Sequence, residues 1–171
     1  MTEILPLNQI PTADVEALLD AAFGADRHGR TAYKLRAGTK AIPALSFAAV
    51  DDGVLIGTLQ SWPVVLETPS GARAPLTLVG PVAVSPALQR SGIGRMLMTH
   101  MLAIADAGAA DALMMIGDPE YYGRFFGFTA EATNGWHLPG PVERHRLLAR
   151  ISRAGGVPRE GVIGPDVGQM A

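Results

Sequence analysis

Cysteine is absent from this chain of 171 residues, which removes disulfides, zinc–thiolate sites and a thiol nucleophile together and suits a reducing compartment. Charge is sparse as well: Asp, Glu, Lys and Arg make up 18% of the residues and sum to −2. No broad basic face is available for nucleic acid or an anionic membrane, so any anionic ligand has to be met by local groups. No apolar run approaches the roughly 20 residues of a membrane helix, and the first residues lack a basic segment followed by an apolar one. The expectation is a cytoplasmic protein with no nucleic-acid or membrane partner. The four histidines, His28, His100, His137 and His145, include no pair at metal-ligand spacing, so no metal is expected. The chain also has no Gly-x-Ser-x-Gly elbow, which argues against a serine hydrolase.

What the chain does have is apolar content, 48% of its residues, enough for one real core at this length and too little chain for two ordinary domains. The expectation is a single domain over 1–171, with its core in 3–152 and a C-terminal tail in 153–171, whose Gly/Pro-rich stretch from Gly155 to Ala171 reads as ordered loop or frayed end. Ile4 to Leu7 reads as a strand. Pro11-Thr12 offers a helix start before Val15, Leu18, Leu19, Ala22 and Phe23 at helical spacing, with Gly24 closing that helix. Thr31 to Ala37 reads as a shorter helix, and the polar Asp26–Arg30 between them suits the border of a substrate cleft. Leu45–Val50 and Val54–Leu66 form a hairpin about Asp51-Asp52-Gly53, with Pro63 marking a bend or an edge. Leu76–Val84 is the next strand, after a turn at Pro69–Ala72.

A helix over about Gly92 to Ala107 follows, its Leu97, Met101 and Ile104 on one packing stripe flanked by Met98, Leu102 and Ala105. Asp111 to Ile116 reads as a buried strand, Pro119 to Phe126 as a helix capped by Asp118, Phe128 onward as a strand, and Leu147–Ile151 as a last strand or a helix, with the strand favoured.

Between the fourth strand and the third helix lies Gln89-Arg90-Ser91-Gly92-Ile93-Gly94-Arg95. A helix start carries N–H groups without intrahelical partners and the positive end of the macrodipole, so a strand–glycine turn–helix order suits a bound phosphate. The turn lacks the Gly-Lys-Ser/Thr ending of a P-loop. Leu97 stands where the dinucleotide fingerprint needs a third glycine.

Gln89–Gly94 matches the Gln/Arg-x-x-Gly-x-Gly/Ala signature of the GCN5-related N-acetyltransferase (GNAT) superfamily, at the place where that family carries it. Gly117-Asp118-Pro119-Glu120-Tyr121-Tyr122-Gly123-Arg124-Phe125-Phe126-Gly127-Phe128 resembles the family's fourth helix, with a Tyr shortly before a Gly-Phe pair. The resemblance covers about Ile4 to Phe128. Beyond it, Gly135–Pro141 resembles a subgroup of poorly characterised bacterial acetyltransferases.

The resemblance implies an α/β (α+β) GNAT fold: a mixed, mostly antiparallel sheet of six to seven strands with about four helices, the fourth and fifth strands splayed. It implies acetyl-CoA as co-substrate and transfer of acetyl to a primary amine of a small molecule or peptide in a ternary complex, without an acyl-enzyme. It allows a homodimer. By the same resemblance, the backbone of Arg90 to Arg95, with Gln89, Ser91, Gly92, Ile93 and Gly94, holds the pyrophosphate, and the Arg90 and Arg95 side chains are able to add charge. Val82, Ala83 and Val84 pair with the pantetheine amides, and an N–H freed near Val82 by a bulge at Gly80-Pro81 meets the oxyanion. Tyr122 is the general acid. Here the chain departs from the pattern, because Tyr122 lies five residues before Gly127 where relatives commonly have four, and Tyr121 is the fallback.

A base for the amine has no motif. Glu67, Asp51 and Glu120 are candidates, although Asp51 serves equally as a turn residue, Glu67 as a strand end and Glu120 as a favourable first-turn charge. His137 beside Trp136 is either a cleft residue or ordinary strand packing. The rival to a transferase is a CoA-binding sensor or interaction module with weak turnover.

Overall fold

The computed structural model describes residues 1–110, 112–152 and 156–170. Among them are eight strands and four α-helices: β1 (Thr2–Pro6), α1 (Thr12–Phe23), α2 (Thr31–Leu35), β2 (Phe47–Asp51), β3 (Val54–Glu67), β4 (Arg73–Val84), α3 (Ile93–Ile104), β5 (Ala112–Ile116), α4 (Pro119–Phe126), β6 (Gly135–His137), β7 (Leu147–Ile151) and β8 (Glu160–Pro165). Pairing is mixed and mostly antiparallel, with β4–β5 and β6–β8 parallel. The expected fold class is therefore present, with eight strands in place of six to seven. The chain groups into two units, Met1–His28 with Ala41–Ser61 and Gly80–Ala109, and Gly29–Lys40 with Trp62–Val79 and Ala110–Ala171. β3 and β4 each begin in one unit and end in the other.

In the first unit, Asp52 and Gly53 adopt φ of 49° and 78°, the left-handed values a tight hairpin needs, and they fold β3 back onto β2 from Asp51↔Val54 to Phe47↔Leu59. β1 adds along β2 from Thr2↔Asp51 to Pro6↔Phe47. Side chains alternate across this surface. Ala48 and Ala83 pack with Leu7 and with Val15, Leu18 and Leu19 of α1. Gly57 lies on the opposite face, where a Cβ would stand 2.8 Å from Cγ2 of Ile93 and 3.2 Å from Cδ1 of Leu97, so its bare backbone lets α3 settle on the strands.

Three details differ from expectation here. Pro11 holds the N-cap position of α1 without a side-chain bond, and Thr12 is the first helical residue, while Gly24 closes the helix with its N–H on Asp20 O at 2.8 Å. Arg27 is not part of a loose polar loop: it is buried, and its guanidinium bonds Glu16 and, at 2.6 Å, Asp20. Two α1 carboxylates thus offset the cost of burying that charge. Finally, α3 gives way after Ile104 to a wider turn over Ala105–Ala109.

In the second unit, β4 pairs in parallel with β5 at Thr77↔Leu113 and Leu78↔Met114. β5 stays paired to β7 as far as Ile116↔Leu147, so β5 leaves β4 before it leaves β7. The expected start of β5 at Asp111 lies outside the described residues. β3 runs through Pro63 without a break, and the Pro63 carbonyl accepts the Asp166 N–H at 3.1 Å. The strand expected from Phe128 is reduced to one bridge, Thr129↔Ala149, and the strand proper, β6, begins at Gly135. The tail expected as loop is corrected too: β8 lies on β3 from Val64↔Pro165 to Glu67↔Val162 and on β6 from Gly135↔Glu160. Residues 153–155 and 171 of that tail lie outside the described residues.

Candidate functional site

The first cluster forms where β4 meets α3, inside the first unit. Gly80, at φ 121°, and a cis Gly80–Pro81 peptide lead into Val82. The Ser85 N–H donates to Ile56 O at 2.9 Å, which ties the end of β4 to β3, and a short turn over Pro86–Leu88 follows. Arg90 adopts φ 69°, and Gly92 takes the N-cap position of α3 at φ 91° with no side-chain cap. Its carbonyl accepts the first helical bond from the Met96 N–H at 3.0 Å. The N–H groups of Ile93 and Gly94 therefore precede the hydrogen-bond ladder at the positive end of the helix. Gln89, Arg90, Ser91, Gly92 and Arg95 are exposed.

β4 supplies the floor beneath this turn. A Cβ at Gly94 would lie 3.8 Å from Cγ1 of Val82 and from Cγ2 of Val84, while nothing comes within 4 Å of a Cβ at Gly92. Ala83 points the other way and is buried against α1. All ten residues assigned from the sequence to the cofactor, Val82–Val84 and Gln89–Arg95, thus lie in one locality. The start of α3 brings main-chain donors, the positive end of a helix dipole and small residues together, a chemistry that suits an anion, while the Ser91 N–H is already given to Leu88 O at 3.2 Å. A groove beside it along α3 is lined by Ile4, Gly92, Arg95, Met96, Thr99 and His100, with His100 edge-on to Phe47 at 4.6 Å between ring centroids. The packing stripe of Leu97, Met101 and Ile104 does not reveal this face, whose signal in the sequence is the recurrence of Gly92, Met96 and His100 every four residues.

Tyr122 belongs to the second unit. Asp118 caps α4 by accepting the Glu120 N–H at 3.0 Å, with Pro119 at the first position. The helix ends at Gly127, φ 76°, where the Gly127 N–H reaches Gly123 O and the Phe128 N–H reaches Tyr122 O, both at 3.2 Å, a closure of the left-handed glycine type. The residue that shifts the Tyr-to-Gly spacing is absorbed within an unbroken helix, which leaves Phe125 42% exposed. The Tyr122 ring meets Tyr121 edge-on at 4.9 Å and Phe128 at 6.5 Å between centroids. Its phenol pKa is pushed up to about 12, chiefly by burial and then by Tyr121 and Asp118, against an opposing pull from Arg146. A phenol so placed stays protonated through the neutral range. On the strand side, a Cβ at Gly117 would lie 2.9 Å from the Tyr122 ring, a contact for which the sequence carries no signal.

The candidate bases are otherwise engaged or exposed. Asp51 accepts from the N-terminal amine at 2.9 Å, and Glu67 pairs with Arg73 at 3.2 Å. Glu120 sits exposed in the first turn of α4. Trp136 is buried, with its indole N–H on Pro158 O at 3.0 Å, and His137 is exposed. Among the described residues no group of three or more His, Asp or Glu is arranged to hold a metal ion, and no helix is long and apolar enough to cross a membrane.

Comparison with known proteins gives a uniform result. Residues 4–130 match the family described as an acetyltransferase (GNAT) domain. An uncharacterized N-acetyltransferase of Streptomyces avermitilis is 25% identical over 141 residues, 81% of this chain. The chain spans about a third of that relative's length, 34%. Among solved structures, a GNAT family acetyltransferase from Brucella melitensis in complex with acetyl-CoA is 27% identical, covers 96% of this chain and 95% of its own, and superposes with a TM-score of 0.69. A GNAT family N-acetyltransferase from Escherichia coli in complex with CoA, 23% identical, covers 100% of this chain and 92% of its own at a TM-score of 0.70, a likeness of fold.

Proposed function

Because this chain belongs to the GNAT acetyltransferase family, we propose that it is an acetyl-CoA-dependent N-acetyltransferase that passes acetyl directly to a primary amine of a small molecule or peptide, within a ternary complex. The observation that carries this is the uncapped start of α3, glycine-bearing and exposed, resting on Val82 and Val84. The Brucella relative, of nearly the same length, was solved with acetyl-CoA.

In this reading the main-chain amides from Arg90 to Arg95 grip the pyrophosphate, with Gln89 and Ser91 bordering it and the Arg90 and Arg95 side chains adding charge. Val82, Ala83 and Val84 offer a strand edge to the pantetheine amides, and the Val82 N–H donates to the carbonyl oxygen as charge develops there. Tyr122 returns a proton to the departing thiolate, a task open to a phenol that is protonated at neutral pH. The chain works as one N-acetyltransferase domain and needs no metal.

A second reading is favoured by one observation. Tyr122 stands five residues before Gly127 within an unbroken α4, a shifted spacing that suits a CoA-binding module with little turnover. Calorimetry with CoA, followed by thiol release from acetyl-CoA across a panel of amines, separates the two. Binding with amine-dependent thiol release supports the transferase, binding without release on any amine supports the module, and no binding removes both.

A further inference from the structure

We infer that Gly117 is a positioning residue for Tyr122: the missing side chain just past β5 is the seat of the phenol ring. The inference rests on the reading of Tyr122 as the proton donor. Gly117 is buried, and its N–H donates to Arg146 O at 3.0 Å, which holds the backbone against the β7 side and prevents it from backing away. A Cβ built there would stand 2.9 Å from both Cδ2 and Cε2 of Tyr122 and 3.3 Å from Cε of Met115. The glycine is not needed for its own conformation, since Gly117 is not among the residues with positive φ. The clash with the ring is what an added methyl would change.

The ring has little room to yield without turning. Tyr121 lies edge-on at 4.9 Å and Phe128 at 6.5 Å between centroids. The Tyr122 main chain is held at both ends, its N–H on Asp118 O at 2.9 Å and its carbonyl under the Phe128 N–H at 3.2 Å. A methyl at 117 therefore swings the ring about its own torsions, and the hydroxyl, at the far end of the lever, moves most. A misplacement of about 1 Å in a reacting group costs about 100-fold in rate.

The test compares Gly117→Ala, Tyr122→Phe and the two together in the full chain. Gly117→Ala should lower kcat between about tenfold and 100-fold and leave the KM for acetyl-CoA within about twofold. It should cost nothing further on the Tyr122→Phe background, where no hydroxyl remains to misplace. The near-ultraviolet titration of tyrosine should show the raised Tyr122 phenol shifting down toward the ordinary value, which reports that the ring has moved, while the kcat loss without a KM change, absent on the Tyr122→Phe background, is the readout that a purely structural role would leave unmoved. Unchanged kcat and an unchanged titration in folded Gly117→Ala, with Tyr122→Phe impaired, overturn the positioning role. Full turnover in Tyr122→Phe instead overturns the proton-donor reading. If Gly117→Ala does not fold, Gly117→Ala/Tyr122→Leu should, because the clashing ring is gone; failure of both overturns the inference.

Discussion

A methyl group on Gly94 would rest 3.8 Å from Cγ1 of Val82 and 3.8 Å from Cγ2 of Val84. The first turn of α3 thus lies on the last residues of β4 with ordinary van der Waals room between them. That relationship separates two glycines which look alike in the sequence. Gly92 is required by its backbone, at φ 91°, a region that costs an L-residue roughly 1–2 kcal/mol. Gly94 is under no such demand, and its own protein leaves space for a side chain.

Gly94→Ala should therefore fold with a melting temperature at or slightly above that of the parent, because alanine gives up less backbone freedom than glycine in a helix, by part of the roughly 1 kcal/mol found for interior positions at this second helical residue. Gly92→Ala should lose about 1 kcal/mol from strain. Calorimetry on the same proteins should find CoA affinity reduced in both, since each substitution narrows or distorts the proposed cradle. A Gly94→Ala variant that melts several degrees low would contradict the spacing described.

Tyr122→Phe should lower kcat by about 100-fold, the lower end for loss of a general acid, with the CoA dissociation constant within about threefold. Tyr121→Phe should stay within about threefold in both, because its ring packs on Tyr122, Phe125 and Phe126 and no proton transfer is asked of it. Steady-state kinetics with a saturating amine decide the matter. The reverse order of effects would transfer the role to Tyr121.

Much of this was legible in the sequence because local rules decide it. Asp118-Pro119 and Gly127 bracket α4, Asp52-Gly53 makes the hairpin, and Gly24 ends α1, each a residue whose short-range preference and long-range place agree. β8 was not legible, since three of the six residues of Glu160–Pro165 are the breakers Gly161, Gly164 and Pro165, and the segment is a strand only because β3 and β6 offer it partners. Arg27 was misread for a similar reason: its burial depends on two carboxylates a helix away in sequence. At the site, the turn was visible as a motif, whereas the contact between Gly117 and the Tyr122 ring is a property of packing that no spacing announces.

Alkaline pH gives a further expectation. The unfolded chain carries Tyr122 with a pKa of about 10, and the folded chain holds it at about 12 through burial. Between those values the unfolded state releases a proton that the folded state keeps, so stability is intact below pH 10 and falls as pH climbs toward 12. The loss attributable to this group is on the order of 2 kcal/mol. Denaturant midpoints at successive pH values should show a shallower decline over that window in Tyr122→Phe. Parallel curves for the two proteins would mean that the phenol is as free to ionise in the folded chain as in the unfolded one.

The β6–β8 pair makes the most severe steric prediction. A Cβ at Gly135 would stand 2.3 Å from the Arg159 carbonyl oxygen and 3.2 Å from Cα of Glu160, and both are backbone atoms that no rotamer change can move aside. Gly135 opens β6 opposite Glu160, and the next residue, Trp136, is fully buried with its indole N–H on Pro158 O. Relief by sliding β8 is opposed on its far side by the register with β3, from Val64↔Pro165 to Glu67↔Val162. Gly135→Ala should thus cost about 3 kcal/mol, the upper range for overpacking a closely fitted site, and shift Trp136 fluorescence toward that of a solvated indole at lower denaturant than the parent requires. If the clash is instead absorbed by moving the Pro158–Glu160 backbone, the indole loses its carbonyl partner, and the emission changes before the cooperative transition. A parent-like midpoint together with parent-like emission would show that the two strands stand further apart than 2.3 Å implies.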